Sequence, residues 1–566
     1  MPFDGFMTGY LCCELNELLK NAKINKIYQT SANDILFEIY APVKGNIRLR
    51  VCANSSFPHL SLTNLSDNNP FTPPAFCMLL RKHLLGGKIK AVTQSLHDRI
   101  VTIEVEQPDE IGDLRTRHLI IELTGRNSNV IIADENFIII DCLKKIDESK
   151  SSVRHILPKL EYLLPPSDKL NPYTMRKSQF VNALNSSDLP ADKNIVRIID
   201  GASNAYAQYL LSDNNINEAD LYESIVNSMN TPDEYYIFEK DGIYKDLYFA
   251  DIYITDASIK KHKYSCLIDL CAEYYDFLIE NNKLNDKILY LKSILSPLIK
   301  RANDKLNKLS KELTQCADKE KYNLYGQLLL TYGYAVKAGA SSYDAVDIFS
   351  ENSNTIKIPL DINLTAYENA EKYFKKYKKL KSAEEHISNQ INIATDEINF
   401  LNDQLYYIGE CKTVQDTDEI ALLLTEQGYI KNLQNKKTQQ VSTPHHFISS
   451  DGFDIYVGKN DKQNEYLTHK FAKKQDIWLH TKIIAGSHVI IKTNSKQVPK
   501  NTILQAAQLS AFFSKARNSQ NVPIDYTTVS YVRKIRNAPI GKVTYTNYTT
   551  LYVTPDESMI KSLKTT

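Results

Sequence analysis

The chain has 566 residues, with 43% hydrophobic and 24% charged residues and only 18 Gly and 20 Pro. At about 150 residues per domain this predicts several folded units and excludes collagen-like, low-complexity and globally disordered classes. The 68 basic and 67 acidic residues leave a net charge of +1, so any polyanion partner must be met by a local excess of positive charge. Nine cysteines form no CxxC pair and no regular ladder, which disfavours a zinc ribbon or a disulfide framework and predicts reduced thiols. No basic leader followed by an apolar run opens the chain, and no apolar stretch reaches the ~18 residues of a membrane span. The expectation is a cytoplasmic protein without a membrane partner.

In chain order, residues 1–165 read as one α+β domain. A helix is expected near 9–21, with strands at 35–40, 100–106, 119–123 and 130–140. The run PPAFCMLLRKHLLGG at 73–87 reads as a helix with Pro at its start and Gly-Gly at its end. Its Arg81, Lys82 and His83 face either a phosphate or plain solvent. Pro165-Pro166 marks a boundary. Residues 166–265 then read as a helix-hairpin-helix region around Gly201, which can hold phosphate on turn amides, followed by a β-hairpin about Asp241-Gly242. A generic helical hairpin stays open as the alternative.

Residues 266–440 carry the clearest periodicity. Leu284, Ile288, Leu291, Leu295, Leu298, Ala302, Leu306, Leu309, Leu313 and Cys316 form a heptad seam with one stutter. Tyr373, Tyr377, Leu380, Ile387, Ile391, Ala394, Ile398, Leu401, Leu405 and Ile408 form a second, with Glu384 in one core slot. Pro297 is expected to kink the first helix or start a new one. With a strand-like stretch at 346–360 between them, the two seams predict a long antiparallel coiled coil, or two helices of a compact bundle.

Residues 441–566 read as a final α+β domain of strands around one helix. Between 470 and 550 there are thirteen Lys or Arg against Asp476 and Asp525, a field that attracts phosphates unless it is only a solvated basic face. The sole tryptophan, Trp478, is either core or a base-stacking platform. The chain lacks GxxxxGK[ST], GxSxG, HExxH and a dinucleotide-binding glycine loop, which disfavours nucleotide-driven catalysis. Asp98-Arg99, opening a strand, reads in isolation as a surface ion pair.

Together FCMLLRKH (76–83), HDRI (97–100), EIGD (110–113), ELTGRNSNVI (122–131), ENAEKYFKKYKKLK (368–381), DIWLHTK (476–482), GSHVII (486–491) and YTNYTTLYVTPDE (545–557) resemble the NFACT family. The resemblance runs in order through the whole chain and fits the bacterial branch. It implies a DNA-glycosylase-like N-terminal NFACT-N domain, a helix-hairpin-helix region, a long antiparallel coiled coil and a C-terminal NFACT-R domain. By resemblance, tRNA binding falls to Asp98, Arg99 and Arg126, and candidate phosphate or RNA contacts are Arg81, Lys82, Lys482, His488, Arg533, Lys534 and Arg536. Three departures from the family pattern, Ala485, Asn127 and the turn from Arg533, weaken transfer around them.

The implied role is ribosome-associated quality control. The protein would bind a large ribosomal subunit, through rRNA and stalk-base proteins, obstructed by peptidyl-tRNA and its nascent chain. It would recruit tRNA, with tRNA-Ala the expected species, for mRNA-independent alanine tailing, alongside a small RNA-binding tailing cofactor. No catalytic residue, metal or cofactor is expected, because the ribosome forms the bonds. Two other classes compete with this reading: a surface fibronectin-binding adhesin, and a DNA glycosylase using Pro2 as a secondary-amine nucleophile. The latter is disfavoured by Phe3 and by the absence of a four-cysteine finger.

Overall fold

The computed structural model describes residues 3–66, 70, 72–108, 112–212, 217–254, 256–350, 354–431, 442–535 and 540–565. Pro2, Glu110, Ile111, Arg536 and the domain boundary expected at 440–441 lie outside the described residues. The chain divides into two compact units, residues 1–281 and 282–566.

The first unit begins with helix α1 (Gly5–Leu19), capped by the Asp4 carboxylate accepting from the Met7 amide. Phe6, Met7, Leu11 and Leu15 point from it into the core. Among the described residues, nine strands follow: Lys23–Ser31, Asp34–Ala41, Gly45–Cys52, His59–Leu62, Lys88–Gln94, Ile100–Pro108, Leu114–Glu122, Asn129–Ala133 and Ile139–Cys142. They form one antiparallel sheet, a four-strand and a five-strand meander joined where Lys23 pairs Lys88. The single strand expected at 130–140 is two, split by a turn in which Asp134 Oδ1 accepts from the Asn136 and Ile138 amides. Helix α2 (Ala75–Leu84) lies between the meanders.

Four short helices come next: α3 (Lys177–Leu184), α4 (Ala191–Ile198), α5 (Asn204–Leu210) and α6 (Glu218–Asn227). The expected hairpin is α4, a turn at Asp200-Gly201, and α5. These helices share one hydrophobic core with α1 and the sheet. Phe6 stacks on Tyr206 at 3.9 Å between centroids. The expected two-stranded hairpin is a three-stranded sheet of Tyr235–Lys240, Ile243–Tyr248 and Lys260–Tyr264.

Helix α7 (Leu267–Cys316) runs unbroken through Pro297. Of the two expectations for Pro297, a kink or a new helix, the second does not occur; the seam residues on both sides keep burying the same face. Within the second unit, α8 (Lys319–Tyr332), a hairpin (Ser342–Val346 with Thr355–Pro359) and the start of α9 (Ala366–Glu410) share the cluster Tyr325, Leu328, Leu329, Ala345, Ile358 and Ala370. At the other end Leu291 and Leu295 of α7 meet Phe400, Leu401 and Ile408 of α9 together with α10 (Val414–Glu426). α7 and α9 are thus antiparallel, and every seam position named above is buried or half-buried. The charged core slot, Glu384, is neutralised by Lys319.

The C-terminal domain is a seven-stranded antiparallel sheet in the order Thr549–Val553, Val522–Thr528, Ile477–Thr481, Val489–Ile491, Asp454–Val457, His445–Ile448, Lys564–Thr565. Besides α11 (Asp461–Tyr466), helix α12 (Lys500–Phe512) packs Ala506, Ala507 and Leu509 against it, and α13 (Glu557–Ser562) follows. Among the described residues no helix is long and apolar enough to cross a membrane, and all nine cysteines are free.

Candidate nucleic-acid interface

Asp98 and Arg99 sit in a tight loop between strands Lys88–Gln94 and Ile100–Pro108. Ser95 N–H donates to Ile100 O at 3.0 Å and Asp98 N–H to Ser95 O at 3.0 Å. The loop closes through two left-handed residues, Leu96 (φ 50°) and His97 (φ 64°). Non-glycine residues hold this conformation only where packing over-determines it, and such strain concentrates at functional sites. Here the packing is visible. The His97 ring is 3% exposed, wedged edge-on against Phe6 and Tyr173. Burial pushes its pKa down to about 4, so the ring is neutral. Gln94 Nε2 donates to both Gly5 O (2.6 Å) and Asp98 O (2.8 Å), tying the loop to α1.

The helical hairpin closes over this loop. Gly5 N–H donates to Gly201 O at 2.9 Å. A Cβ at Gly5 would stand 2.1 Å from His97 O; one at Gly201, where φ is +73°, would stand 2.2 Å from the same oxygen. Only glycine fits at either place. Beneath them Asp4 accepts from Ser203 Oγ (2.6 Å) and Tyr248 OH (2.8 Å), besides capping α1. Burial raises its pKa, and these hydrogen bonds together with the charge of Arg99 partly offset the rise. One carboxylate therefore joins α1, the α5 N-cap and the three-stranded sheet.

The result is a cavity of about 610 Å³ lined by Asp98, Arg99, Lys169, Asp200, the 201–205 turn and Asp246. Asp98 accepts from the Arg99 amide at 2.7 Å, whereas its carboxylate is 4.0 Å from Arg99 Nε. The pair is about one-third exposed, with capacity left for a ligand. Asp200 has its pKa raised by burial and then by the nearby Asp98 charge. Adjacent acceptors and cations of this kind suit a nucleotide: carboxylates take base N–H groups and a guanidinium takes phosphate. Asp4, Asp200, Ser203 and Lys169 escape sequence reasoning, because nothing local separates them from ordinary cap and turn residues.

The other candidates scatter. Arg126 is exposed on the 3-10 turn Gly125–Asn127, which follows the Leu123 amide bonded to Arg99 O. It shares that end of the sheet without lining the cavity. Glu122 braces the strand end through Arg154 (2.5 Å) and Tyr162 OH (2.8 Å). Arg81 is half-buried, its Nε donating to Ile27 O at 2.8 Å and its guanidinium lying over Tyr28, while Lys82 is exposed.

In the C-terminal domain, His488 is a correction. It is 3% exposed, hydrogen-bonded to Thr468 Oγ1, and burial holds it well below the usual histidine range. Trp478 beside it is fully buried and is core. Lys482 lies over the Tyr548 ring. Arg533 is exposed, and Lys534 reaches Glu465 at 2.6 Å. The basic excess is partly spent internally, since Lys492 pairs with Asp476 at 2.6 Å, and Lys515, Arg517 and Lys542 pair with α9.

Comparison with known proteins identifies the family. Residues 4–443 match the family described as NFACT N-terminal and middle domains, and residues 443–547 match the NFACT protein RNA binding domain. The Rqc2 homolog RqcH of Bacillus subtilis is 35% identical, covering 100% of both chains. That of Streptococcus suis is 32% identical, again covering 100% of both. The ribosome quality control complex subunit 2 of Schizosaccharomyces pombe is 27% identical over 34% of this chain and 17% of its own length. Two family profiles in tandem and full-length identity above 30% make the chain a member of the NFACT family.

Proposed function

We propose that the chain is a ribosome-associated quality-control factor. It binds a large ribosomal subunit obstructed by peptidyl-tRNA, through rRNA and stalk-base proteins, and recruits tRNA to it. In this reading tRNA-Ala is delivered for C-terminal alanine tailing of the stalled chain, with a small RNA-binding cofactor assisting. The chain itself acts as a cytoplasmic binding protein: the ribosome joins the amino acids. The glycosylase-like N-terminal scaffold serves recognition, not base excision. The carrying observation is the Asp98-Arg99 pair at the rim of the 610 Å³ cavity, held there by a strained loop, in a chain similar end to end to a protein named as an Rqc2 homolog.

The test replaces Asp98 and Arg99 with Ala together. RNA sequenced from the purified variant should lose its tRNA fraction, while co-sedimentation with large subunits persists. Nascent chains still tailed at the wild-type rate would remove the pair from this role.

A further inference from the structure

Helix α9 carries Asp396, Asp403 and Glu410 one heptad apart, each two residues after a buried seam position (Ala394, Leu401, Ile408). They stand on one flank, roughly 10 Å apart along the axis. Each meets a cation of the RNA-binding domain: Asp396 with Lys542 at 3.3 Å, Asp403 with Lys515 at 2.7 Å, Glu410 with Arg517 at 3.9 Å. All three pairs are partly exposed, so each contributes little alone and its cation is readily released.

Along this flank the structure leaves open space. A cavity of about 560 Å³ holds Asp403, Lys515 and Lys542 in its lining, with Trp478, His480 and Tyr545 opposite. A second, of about 320 Å³, holds Glu410 and Arg517. Tyr407 lines both and is itself buried, its hydroxyl donating to Gly486 O at 3.2 Å, so the two cavities adjoin along the ladder with Tyr407 between them, and together they make up a trough interrupted at that side chain. At the lip of the larger cavity stands Ile483, 98% exposed and at φ +66°. A β-branched residue in that region is strained, and a fully exposed isoleucine does not pack to repay it.

We propose that a single RNA strand lies in this trough, its phosphates taking Lys515, Arg517 and Lys542 from the carboxylate ladder, which occupies them in the strand's absence. This rests on the reading of the domain as RNA-binding. Charge complementarity calls for an anionic occupant, since three cations held in a row by carboxylates accept another row of anions, and in a domain matched as RNA-binding that row is a phosphate backbone. The strand is bound by backbone, so sequence preference should be weak.

Trp478 is the only tryptophan in the chain; it is buried but forms part of the wall of the larger cavity, so a change in its emission reports occupancy there through that wall. A fluorescein-labelled 12-nucleotide single-stranded RNA is titrated into the full-length protein, with anisotropy reading total binding and Trp478 emission reading the trough. Asp396→Asn, Asp403→Asn and Glu410→Gln combined should bind about five- to ten-fold tighter than wild type at 0.1 M salt. Lys515→Ala with Lys542→Ala should bind weaker and shrink the tryptophan change. Removing three acids also adds three units of positive charge, which tightens polyanion binding anywhere, so the tightening counts for the trough only when the Trp478 change grows with it; a melting curve within a few degrees of wild type confirms that the variant is folded. Should RNA bind by anisotropy while Trp478 stays silent, whether or not the ladder variant binds tighter, the trough is overturned and the RNA-binding reading survives. If wild type shows no anisotropy change at all, that reading falls with it.

Discussion

The cavity beside Asp98-Arg99 and the basic face of the C-terminal domain are both offered to nucleic acid, yet they are built in opposite ways. The first is fixed by buried parts: two glycines in mutual contact, a neutral buried histidine and one carboxylate joining three elements. The second is made of long side chains on the surface, several already held by carboxylates. A site assembled from backbone loses little entropy when a ligand arrives and can discriminate by shape. One assembled from lysines adapts and discriminates poorly. Under the proposed function, this contrast would leave choice of RNA to the first unit and strength of attachment to the second.

The severest way to break the contrast is through Gly201. Gly201→Ala places a methyl 2.2 Å from His97 O at a left-handed φ, so the hairpin must leave the loop. About 2 to 3 kcal/mol of stability should be lost in chemical denaturation, with tRNA co-purification falling at least ten-fold although no ligand-facing side chain has changed. Unchanged stability would show that the packing there is loose, and that the first site is no more fixed than the second.

Shortening the arm sharpens the comparison from the other side. Replacing residues 310–386, between seam positions Leu309 and Ile387, with a short Gly-Ser linker spares the residues of both the cavity and the cluster around Leu295, Leu401 and Ile420. Co-sedimentation with large subunits should drop several-fold, while tRNA is retained. If subunit binding is unaffected, reach is not what the coiled coil supplies.

Arg533→Ala with Lys534→Ala tests the adaptable face. Every phosphate that a protein ceases to neutralise lowers the slope of log affinity against log salt by roughly 0.7 to 0.9, so removing two cations should lower it by at most about 1.8. The identity of bound tRNA should not move. Because Lys534 is already shared with Glu465, a change nearer that of one cation than of two is the expected result. Binding that superimposes on wild type across a salt titration would take this turn off the surface.

How much of the molecule is legible in its sequence follows from the range of the interactions. The seams on α7 and α9 are plain, because a heptad repeats within a few residues and its burial follows. Pro297 shows the limit, since local preference allows a kink or a new helix and cannot say that the helix continues, as it does with Leu291, Leu295 and Leu298 packed on either side. Arg81 and His488 look like phosphate ligands on a basic segment, and their partners, Ile27 O and Thr468, are set by strand and helix placement that no spacing encodes. The hardest to see are Gly5 with Gly201 and Asp4 with Ser203 and Tyr248. Roughly 200 residues separate the members of each pair, and Gly, Asp and Ser in turns and caps are ordinary until the fold brings them together.

The smallest effect concerns Asp461, at the start of α11, whose carboxylate accepts from Gln404 Nε2 at 2.7 Å. Asp403 and Lys542 also face it, and Tyr407 lies beside it. Burial pushes its pKa up to about 7, with the Gln404 hydrogen bond opposing and the Asp403 charge adding to the rise. A carboxyl that binds its proton more tightly folded than unfolded stabilises the fold at low pH, and that contribution fades as pH climbs from the ordinary carboxylate range through about 7. Asp461→Asn removes the charge while keeping an acceptor for Gln404. The variant should therefore gain stability relative to wild type at pH 8 and show little difference at pH 5. Melting temperatures measured at both values decide it: a loss at pH 8, or at both values, would mean that the carboxylate is ionised and welcomed where it sits, and that the junction of α9 with the RNA-binding domain draws its stability from charge.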